Sequence, residues 1–183
     1  MLLRYLDLVQ IDPVGWVSLL VVTVTGVVSA VTVHEAAHAW SALQLGDRTA
    51  ALLGRVTLNP RAHLDPAGSV LFLVMGLGWG KPTPVNPANF KGNRETGMAL
   101  VSFAGPVSNL LAAFVYAVPI RLGIFEWHQP FRYLPFSGGG LADAVGDVLA
   151  YAILFNVFLA VFNLLPLPPL DGFKVVLGIL PRE

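Results

Sequence analysis

Three long apolar runs without a charged residue constrain the fold of this chain more than any other feature. They cover residues 14–33, 97–120 and 148–170. A helix of about 20 residues is about 30 Å long, which matches the hydrocarbon core of a bilayer. Only 12% of all residues are charged, about half the fraction typical of soluble domains. The sequence therefore predicts a polytopic α-helical membrane protein.

The predicted architecture is a three-helix transmembrane core within a single domain, residues 1–183. We expect spans at about 14–45, 95–121 and 141–165. Pro166, Pro168 and Pro169 interrupt the third apolar run, because proline removes a backbone donor and clashes with the preceding turn. A Pro-rich break and a short helix at 166–181 should follow.

The region between the first two spans, about 47–94, has a different character. Residues 51–59 carry β-branched side chains and end at an Asn-Pro pair, which predicts a small membrane-associated β segment. Residues 66–80 are apolar but only about 15 long, so a re-entrant or interfacial helix is favoured over a fourth crossing. The prolines of segment 81–87 exclude a central strand and predict an extended stretch at a sheet edge or along a groove.

Charge and composition bear on orientation and partners. Lysine and arginine are balanced by aspartate and glutamate, so nothing indicates a nucleic-acid partner. Residues 1–13 have no basic cluster and no small-residue cleavage site, so a cleaved signal peptide is not expected. The positive-inside rule places region 47–94, and with it the active site, on the cytoplasmic side of a cell membrane. Its basic residues are Arg48, Arg55, Arg61, Lys81, Lys91 and Arg94.

The segment His34-Glu35-Ala36-Ala37-His38 reads H-E-x-x-H and lies at the end of the first apolar run. Residues four apart share one face of a helix, so His34 and His38 can direct imidazole nitrogens at one metal ion. Zinc lowers the pKa of a coordinated water toward about 7, and the neighbouring Glu35 can take the proton. The motif predicts metal-assisted hydrolysis inside a membrane.

A third zinc ligand must come from elsewhere, and the chain contains no cysteine. Asp171 follows the Pro-rich break at the end of the third run, where a carboxylate is costly unless it is paired or metal-bound. The alternative is that Asp171 only caps the short helix that follows it. Beside an intramembrane H-E-x-x-H, the ligand interpretation is favoured.

Asn109 lies in Gly105-Pro106-Val107-Ser108-Asn109, within the second run. Its amide could donate to the oxyanion that forms when a peptide carbonyl is attacked. The alternative is a hydrogen bond between helices. Without the two histidines, the hydrogen bond between helices would be favoured.

Three motifs stand in order along the chain: H-E-A-A-H at 34–38, G-P-V-S-N at 105–109 and N-L-L-P-L-P-P-L-D-G at 163–172. In order and spacing they resemble the site-2 protease family of intramembrane zinc metalloproteases, peptidase family M50. The segments H-L-D-P-A-G at 63–68 and G-K-P-T-P-V-N-P at 80–87 are similar to those of compact prokaryotic members, and neither a PDZ nor a CBS domain is recognised.

The resemblance implies specific roles for residues. It implies that His34, His38 and Asp171 bind one Zn²⁺ per chain, that Glu35 is general base and then acid, and that Asn109 assists near the scissile carbonyl. The expected substrates are transmembrane proteins in the lipid bilayer. An unwound substrate stretch would add as a strand beside Pro84, Val85 and Asn86 or beside the 51–59 segment.

Two other functions fit parts of the sequence. A non-enzymatic membrane protein that binds or transports a divalent metal would also place ionisable residues beside a broken helix. Glu35 argues against it, because a pure binding site needs no carboxylate next to the first histidine. A soluble zinc protease is disfavoured by the three charge-free runs.

Overall fold

The computed structural model describes residues 7–75, 78–132, 134–136 and 140–180. Positions 76, 77 and 181 of the predicted segments lie outside these ranges. Within them the regular structure is helical and includes no strand. The α-helices are α1 (Leu8–Ile11), α2 (Pro13–Gln44), α3 (Thr49–Leu52), α4 (Pro66–Met75), α5 (Arg94–Arg121), α6 (Leu141–Asn163) and α7 (Asp171–Ile179).

Three helices, α2, α5 and α6, are long and apolar enough to cross a membrane. This confirms the prediction of three membrane-length helices. Less than half of the most apolar stretch of each helix is buried inside the protein. The exposed side chains of these helices include large apolar ones, such as Leu111, Phe114 and Val115 on α5. An apolar exterior of this kind suits lipid rather than water.

Local sequence signals define both ends of α2. Asp12 caps the start, because its Oδ1 accepts a hydrogen bond from the Gly15 amide at 2.9 Å, and Pro13 occupies the first turn, where its missing N–H costs nothing. Gly46 follows the end with a φ of 109°, a left-handed conformation that glycine adopts without a steric penalty. The first span thus continues unbroken through both histidines.

The helices α2, α5 and α6 pack against one another, and α7 packs on α5. Gly26 lets α2 approach α6 closely, since a Cβ atom there would lie 2.9 Å from the Tyr151 carbonyl oxygen. Around this contact Leu19, Val22 and Phe155 form a buried apolar cluster. The contact between α2 and α6 is therefore apolar at this point in the bundle.

The predicted β segment at residues 51–59 is not formed. Helix α3 covers its beginning, and turns follow. Leu52 and Leu53 are both exposed instead of alternating between two faces, and Gly54 adopts a φ of 68°. A strand also needs a paired neighbour, whereas the described residues offer one isolated antiparallel bridge, Leu64–Gly80.

The short apolar segment contains α4, whose ten residues extend only about 15 Å. That is half the thickness of a hydrocarbon core. After it, residues 80–91 pass along α2; we call this segment the strap. Residues 81–86 have no helical structure, which agrees with the extended stretch predicted for 81–87 except at Pro87, where a short 3-10 helix, Pro87–Asn89, begins.

Candidate metal centre

Two neighbouring turns of α2 and the first residue of α7 meet in the bundle. Nε2 of His34 lies 3.1 Å from Oδ2 of Asp171, and Nε2 of His38 lies 3.0 Å from the same oxygen. The two Nε2 atoms are 3.0 Å apart. All three side chains are buried. The structure therefore brings together the three predicted ligands, although His34 and Asp171 are 137 residues apart in the sequence.

The other ring nitrogens determine which tautomers the histidines adopt. Nδ1 of His38 lies 2.7 Å from the Val101 carbonyl oxygen, and Nδ1 of His34 lies 2.7 Å from Oδ1 of Asn109. Both partners can only accept, so each Nδ1 carries the proton. Each neutral ring then presents an unprotonated Nε2 to the centre, as metal-binding histidines do.

This donor set suits a cation. Two nitrogen lone pairs and one carboxylate oxygen converge, with no proton available to join them when the rings are neutral. Tetrahedral zinc with nitrogen ligands at about 2.0–2.1 Å needs ligand atoms about 3.3 Å apart, close to the observed separations. Among the described residues, these three form the group of histidine and acidic side chains able to hold a metal ion. The residues fit zinc.

Gly105 shapes the side of this centre that α5 provides. A Cβ atom at this position would lie 2.6 Å from Nε2 of His38 and 2.7 Å from Cε1 of His34. Contacts this short are not tolerated, so only glycine allows α5 to lie against the two imidazoles. Glycine at position 105 thus allows α5 to pack directly against the metal-binding edges of the histidines.

Asn109 is fully buried and all its hydrogen-bonding groups are used. Its Oδ1 accepts from His34, and its Nδ2 donates to the Ala30 carbonyl at 2.9 Å and to Oδ1 of Asn156 at 2.8 Å. Asn109 thus connects α5 to α2 and α6 through hydrogen bonds and fixes the orientation of the His34 ring. The predicted role at the scissile carbonyl stays a prediction.

Asp171 does not act as a helix cap. It is the first residue of α7, Leu170 occupies the capping position, and no side chain caps the helix. Oδ2 of Asp171 faces the Nε2 atoms of both histidines, and Lys174 lies 3.6 Å from Oδ1 and contributes a positive charge. A neighbouring positive charge favours the carboxylate, which is the form that binds a metal.

Glu35 is half-buried beside the histidines, on the side covered by the strap. Its Oε2 accepts a hydrogen bond from the Thr83 amide at 2.8 Å. The segment predicted to bind substrate follows directly: Val85 packs against Ala42, Phe90 and Val101. That segment thus begins one residue after a contact with the predicted general base.

Sequence reasoning missed two of these contacts. The carbonyl of Val101 and the amide of Thr83 are backbone groups. Every residue type supplies a carbonyl, so no sequence signal marks the Val101 contact. For Thr83 a weak signal exists. It is flanked by Pro82 and Pro84, and it therefore carries the one amide of that tripeptide.

Two histidines four apart on a membrane-length helix, a distant aspartate and a glutamate next to the first histidine define a membrane metalloprotease. The comparisons with known proteins agree, because residues 123–182 match the model of "Peptidase family M50". That match covers about a third of the chain, and the first of the two relatives described next extends the similarity over most of it, so the chain belongs to this family.

Two relatives show how far the similarity extends. The chain is 42% identical over 169 residues to "Putative zinc metalloprotease YwhC" of Bacillus subtilis, an alignment that covers 92% of this chain and 72% of the relative. It is 30% identical over 174 residues to "Putative zinc metalloprotease Rip2" of Mycobacterium tuberculosis, covering 91% of this chain and 60% of the relative. The chain thus spans less than two thirds of the second relative. No solved structure matches the chain.

Proposed function

We propose that this protein is an intramembrane zinc metalloprotease that hydrolyses peptide bonds within or near transmembrane segments of other membrane proteins. The observation that carries the proposal is the convergence of His34, His38 and Asp171, with unprotonated Nε2 atoms, among helices of membrane length. One Zn²⁺ per chain would occupy this centre. Bound there, zinc would polarise the scissile carbonyl and acidify a water.

The side chains around the centre have separable tasks in this proposal. His34, His38 and Asp171 hold the ion, while Glu35 takes a proton from the attacking water and returns it to the leaving nitrogen. A substrate helix must unwind first, because its own hydrogen bonds shield its carbonyls. The unwound stretch would lie along the strap near Pro84, Val85 and Asn86.

The depth of the centre supports action inside the membrane. His38 lies six residues before the end of α2, about 9 Å along the helix axis. The excess of basic residues in region 47–94 supports a cytoplasmic location for that end of the bundle. With α4 too short to cross a bilayer, a re-entrant or interfacial position for it is consistent with the same topology.

The test compares purified wild type and Glu35→Gln, in detergent, on a panel of tagged single-span substrates with and without a chelator. We expect cleavage by the wild type alone, loss of cleavage with chelator, and equal zinc content in both proteins. Cleavage by the variant at the wild-type rate would reject the mechanism. Zinc flux into liposomes that survives Glu35→Gln, without proteolysis, would instead support a transporter.

Mass spectrometry of the products locates the bond that is cut. We expect cleavage inside or at the border of the substrate's apolar segment. Cleavage confined to soluble loops would reject intramembrane action while leaving metalloprotease activity intact.

The topology can be tested separately, because the chain has no native cysteine to interfere. Leu58 and Ile124 are exposed and lie on the two sides of α5 in sequence. In Leu58→Cys and Ile124→Cys variants, we expect a membrane-impermeant thiol reagent to label only position 124 in intact cells. The reverse pattern would place region 47–94 outside.

A further inference from the structure

Two hydrogen bonds join Thr83 of the strap to Glu35. The Thr83 amide donates to Oε2 of Glu35 at 2.8 Å, and the Thr83 hydroxyl donates to the Glu35 backbone carbonyl at 3.1 Å. Thr83 therefore contacts both the backbone and the carboxylate of Glu35, the residue that directly follows His34. The contact spans 48 positions of sequence, so the tertiary structure alone creates it.

The strap is anchored on both sides of Thr83. Before it, the Lys81 amide donates to the His63 carbonyl at 2.7 Å, and the buried Arg55 guanidinium donates to the carbonyls of Lys81 and Pro82. A buried cation bound to two backbone carbonyls is a costly arrangement to disrupt. It fixes where the strap passes α2.

The anchor after Thr83 is Asp47, which lies shortly after the end of α2. Asp47 is fully buried and accepts from the Asn86 amide at 2.7 Å, from Nδ2 of Asn89 at 2.8 Å and from the Thr49 hydroxyl at 2.6 Å. Beyond it the Lys91 amide donates to the Leu45 carbonyl at 2.8 Å. Thr83 is thus held between two polar anchors, one on each side.

The sequence around Thr83 makes this amide distinctive. Pro82 and Pro84 have no N–H, so Thr83 supplies the one amide donor of the tripeptide. Proline fixes its own φ, and a residue before proline is restricted to extended conformations. The amide is therefore pre-oriented toward the Glu35 carboxylate with little conformational freedom.

We propose that the Thr83 amide is a positioning group that holds Oε2 of Glu35 and so directs Oε1 toward the reacting atoms. A free glutamate rotates about three side-chain bonds, and a small misplacement of a catalytic group can lower a rate about 100-fold. Gly80 allows the strap to pass close to α2, since a Cβ atom there would lie 2.8 Å from Cγ1 of Val31. The inference rests on the proposed role of Glu35 as general base.

Amide hydrogen exchange tests the contact without any need for catalysis. The purified full chain in detergent is compared with Glu35→Ala, which removes the acceptor, and Glu35→Gln, which keeps an amide oxygen in the same place. We expect the Thr83 amide to exchange at least about 10-fold faster in Glu35→Ala and near the wild-type rate in Glu35→Gln. The Asn86 amide, held by Asp47, serves as internal reference and should stay protected in all three. Unchanged exchange at Thr83 in Glu35→Ala overturns the proposal, as does equal acceleration at Asn86.

Kinetics then test whether the contact positions the base. Thr83→Pro removes the amide in a segment already extended between prolines. We expect kcat to fall about 10- to 100-fold with zinc content unchanged and KM within about twofold, because the contact orients the base and does not bind substrate. Because proline lacks the hydroxyl as well, Thr83→Val is the matched control: it keeps the amide, loses only the hydroxyl bond to the Glu35 carbonyl and should keep kcat near the wild-type value.

The outcomes separate this inference from the proposed function. If the wild type cleaves no substrate, the proposed function fails, whereas the exchange result still decides whether Thr83 holds Glu35. If the wild type cleaves and Thr83→Pro has the same kcat, the positioning role is overturned. A rise in KM alone would assign Thr83 to substrate binding and would likewise overturn it.

Discussion

His34 donates a hydrogen bond from Nδ1 to Oδ1 of Asn109 at 2.7 Å, across 75 positions of sequence. The bond leaves Nε2 of His34 unprotonated and turned toward His38 and Asp171. Asn109 is itself fixed by two donated bonds, to the Ala30 carbonyl and to Asn156. One buried amide on α5 thereby sets the ring orientation of a metal ligand on α2 and ties both to α6.

The first prediction follows from this hydrogen bond. Replacing Asn109 by Leu removes the acceptor and leaves the buried Nδ1–H unpaired, so zinc affinity should fall about 10- to 100-fold. Competition with a chromophoric chelator measures the change. Asn163→Leu is the matched control, because the Asn163 side chain donates to the Leu159 carbonyl of its own helix at 3.0 Å and, within the part of the chain that the structure describes, forms no hydrogen bond to another helix. Equal zinc affinities for wild type and Asn109→Leu would contradict the role assigned here.

Gly105 gives the second prediction. A methyl group in Gly105→Ala would overlap the edges of both imidazoles that face the metal, so either α5 or the rings must move. We expect zinc binding to fall below detection and the free energy of unfolding to drop by about 1–3 kcal/mol. Gly140→Ala is the control, because open space surrounds that position. A Gly105→Ala protein that binds zinc normally would show that the rings are not confined in this way.

The parts that the sequence predicts correctly are those that depend on local patterns. Charge-free runs of about 20 residues identify membrane-length helices without knowledge of their neighbours, and α2 agrees with the first run. The four-residue spacing of His34 and His38 fixes their common face for the same reason. Three prolines break the third run just before Asp171, and this local signal predicts the short helix after the break, which α7 confirms. The role of Asp171 as a metal ligand stays a prediction.

The parts that were not predicted depend on tertiary contacts. Residues 51–59 have the composition of a strand, but without a paired neighbour they form a helix end and turns. The hydrogen bonds to Val101 and Thr83 use backbone groups, which composition does not reveal. Asp47 resembles an ordinary loop aspartate in the sequence, and only the path of the strap makes it an acceptor for residues about 40 positions away.

Metal removal provides the third prediction. Zinc would join α2 to α7, so its binding should stabilise the folded protein by about 2.7 kcal/mol at a free zinc concentration 100 times Kd. Thermal unfolding in detergent, with zinc and after chelation, measures the difference. Asp171→Asn should unfold at the same temperature under both conditions, because an amide oxygen is a weak substitute for a carboxylate ligand. An equal zinc-dependent shift in that variant would exclude Asp171 as a ligand.

Asp47 gives a prediction about pH, because it lies outside the membrane-spanning helices and titrates apart from the metal centre. Burial raises the pKa of its carboxyl, but hydrogen bonds from Thr49, Asn86 and Asn89 outweigh that effect, so its pKa lies below the ordinary value. A lowered pKa in the folded state means that the charged carboxylate stabilises folding above the unfolded pKa of about 3.9. This contribution is lost as the pH falls through the lowered value.

Asp47→Asn should therefore destabilise the protein at neutral pH by about 1–3 kcal/mol, since the new amide faces the Asn86 N–H and leaves it unpaired. The difference from wild type should begin to shrink as the pH drops below about 4, where the carboxyl of the unfolded chain takes up a proton, and should be lost as the pH falls through the lowered pKa of the folded carboxyl. Unfolding titrations at a series of pH values measure it, with the exposed Asp7→Asn as control. A difference that stays constant from pH 7 to pH 3 would mean that packing of the strap against α2, and not the charge of Asp47, supplies the stabilisation.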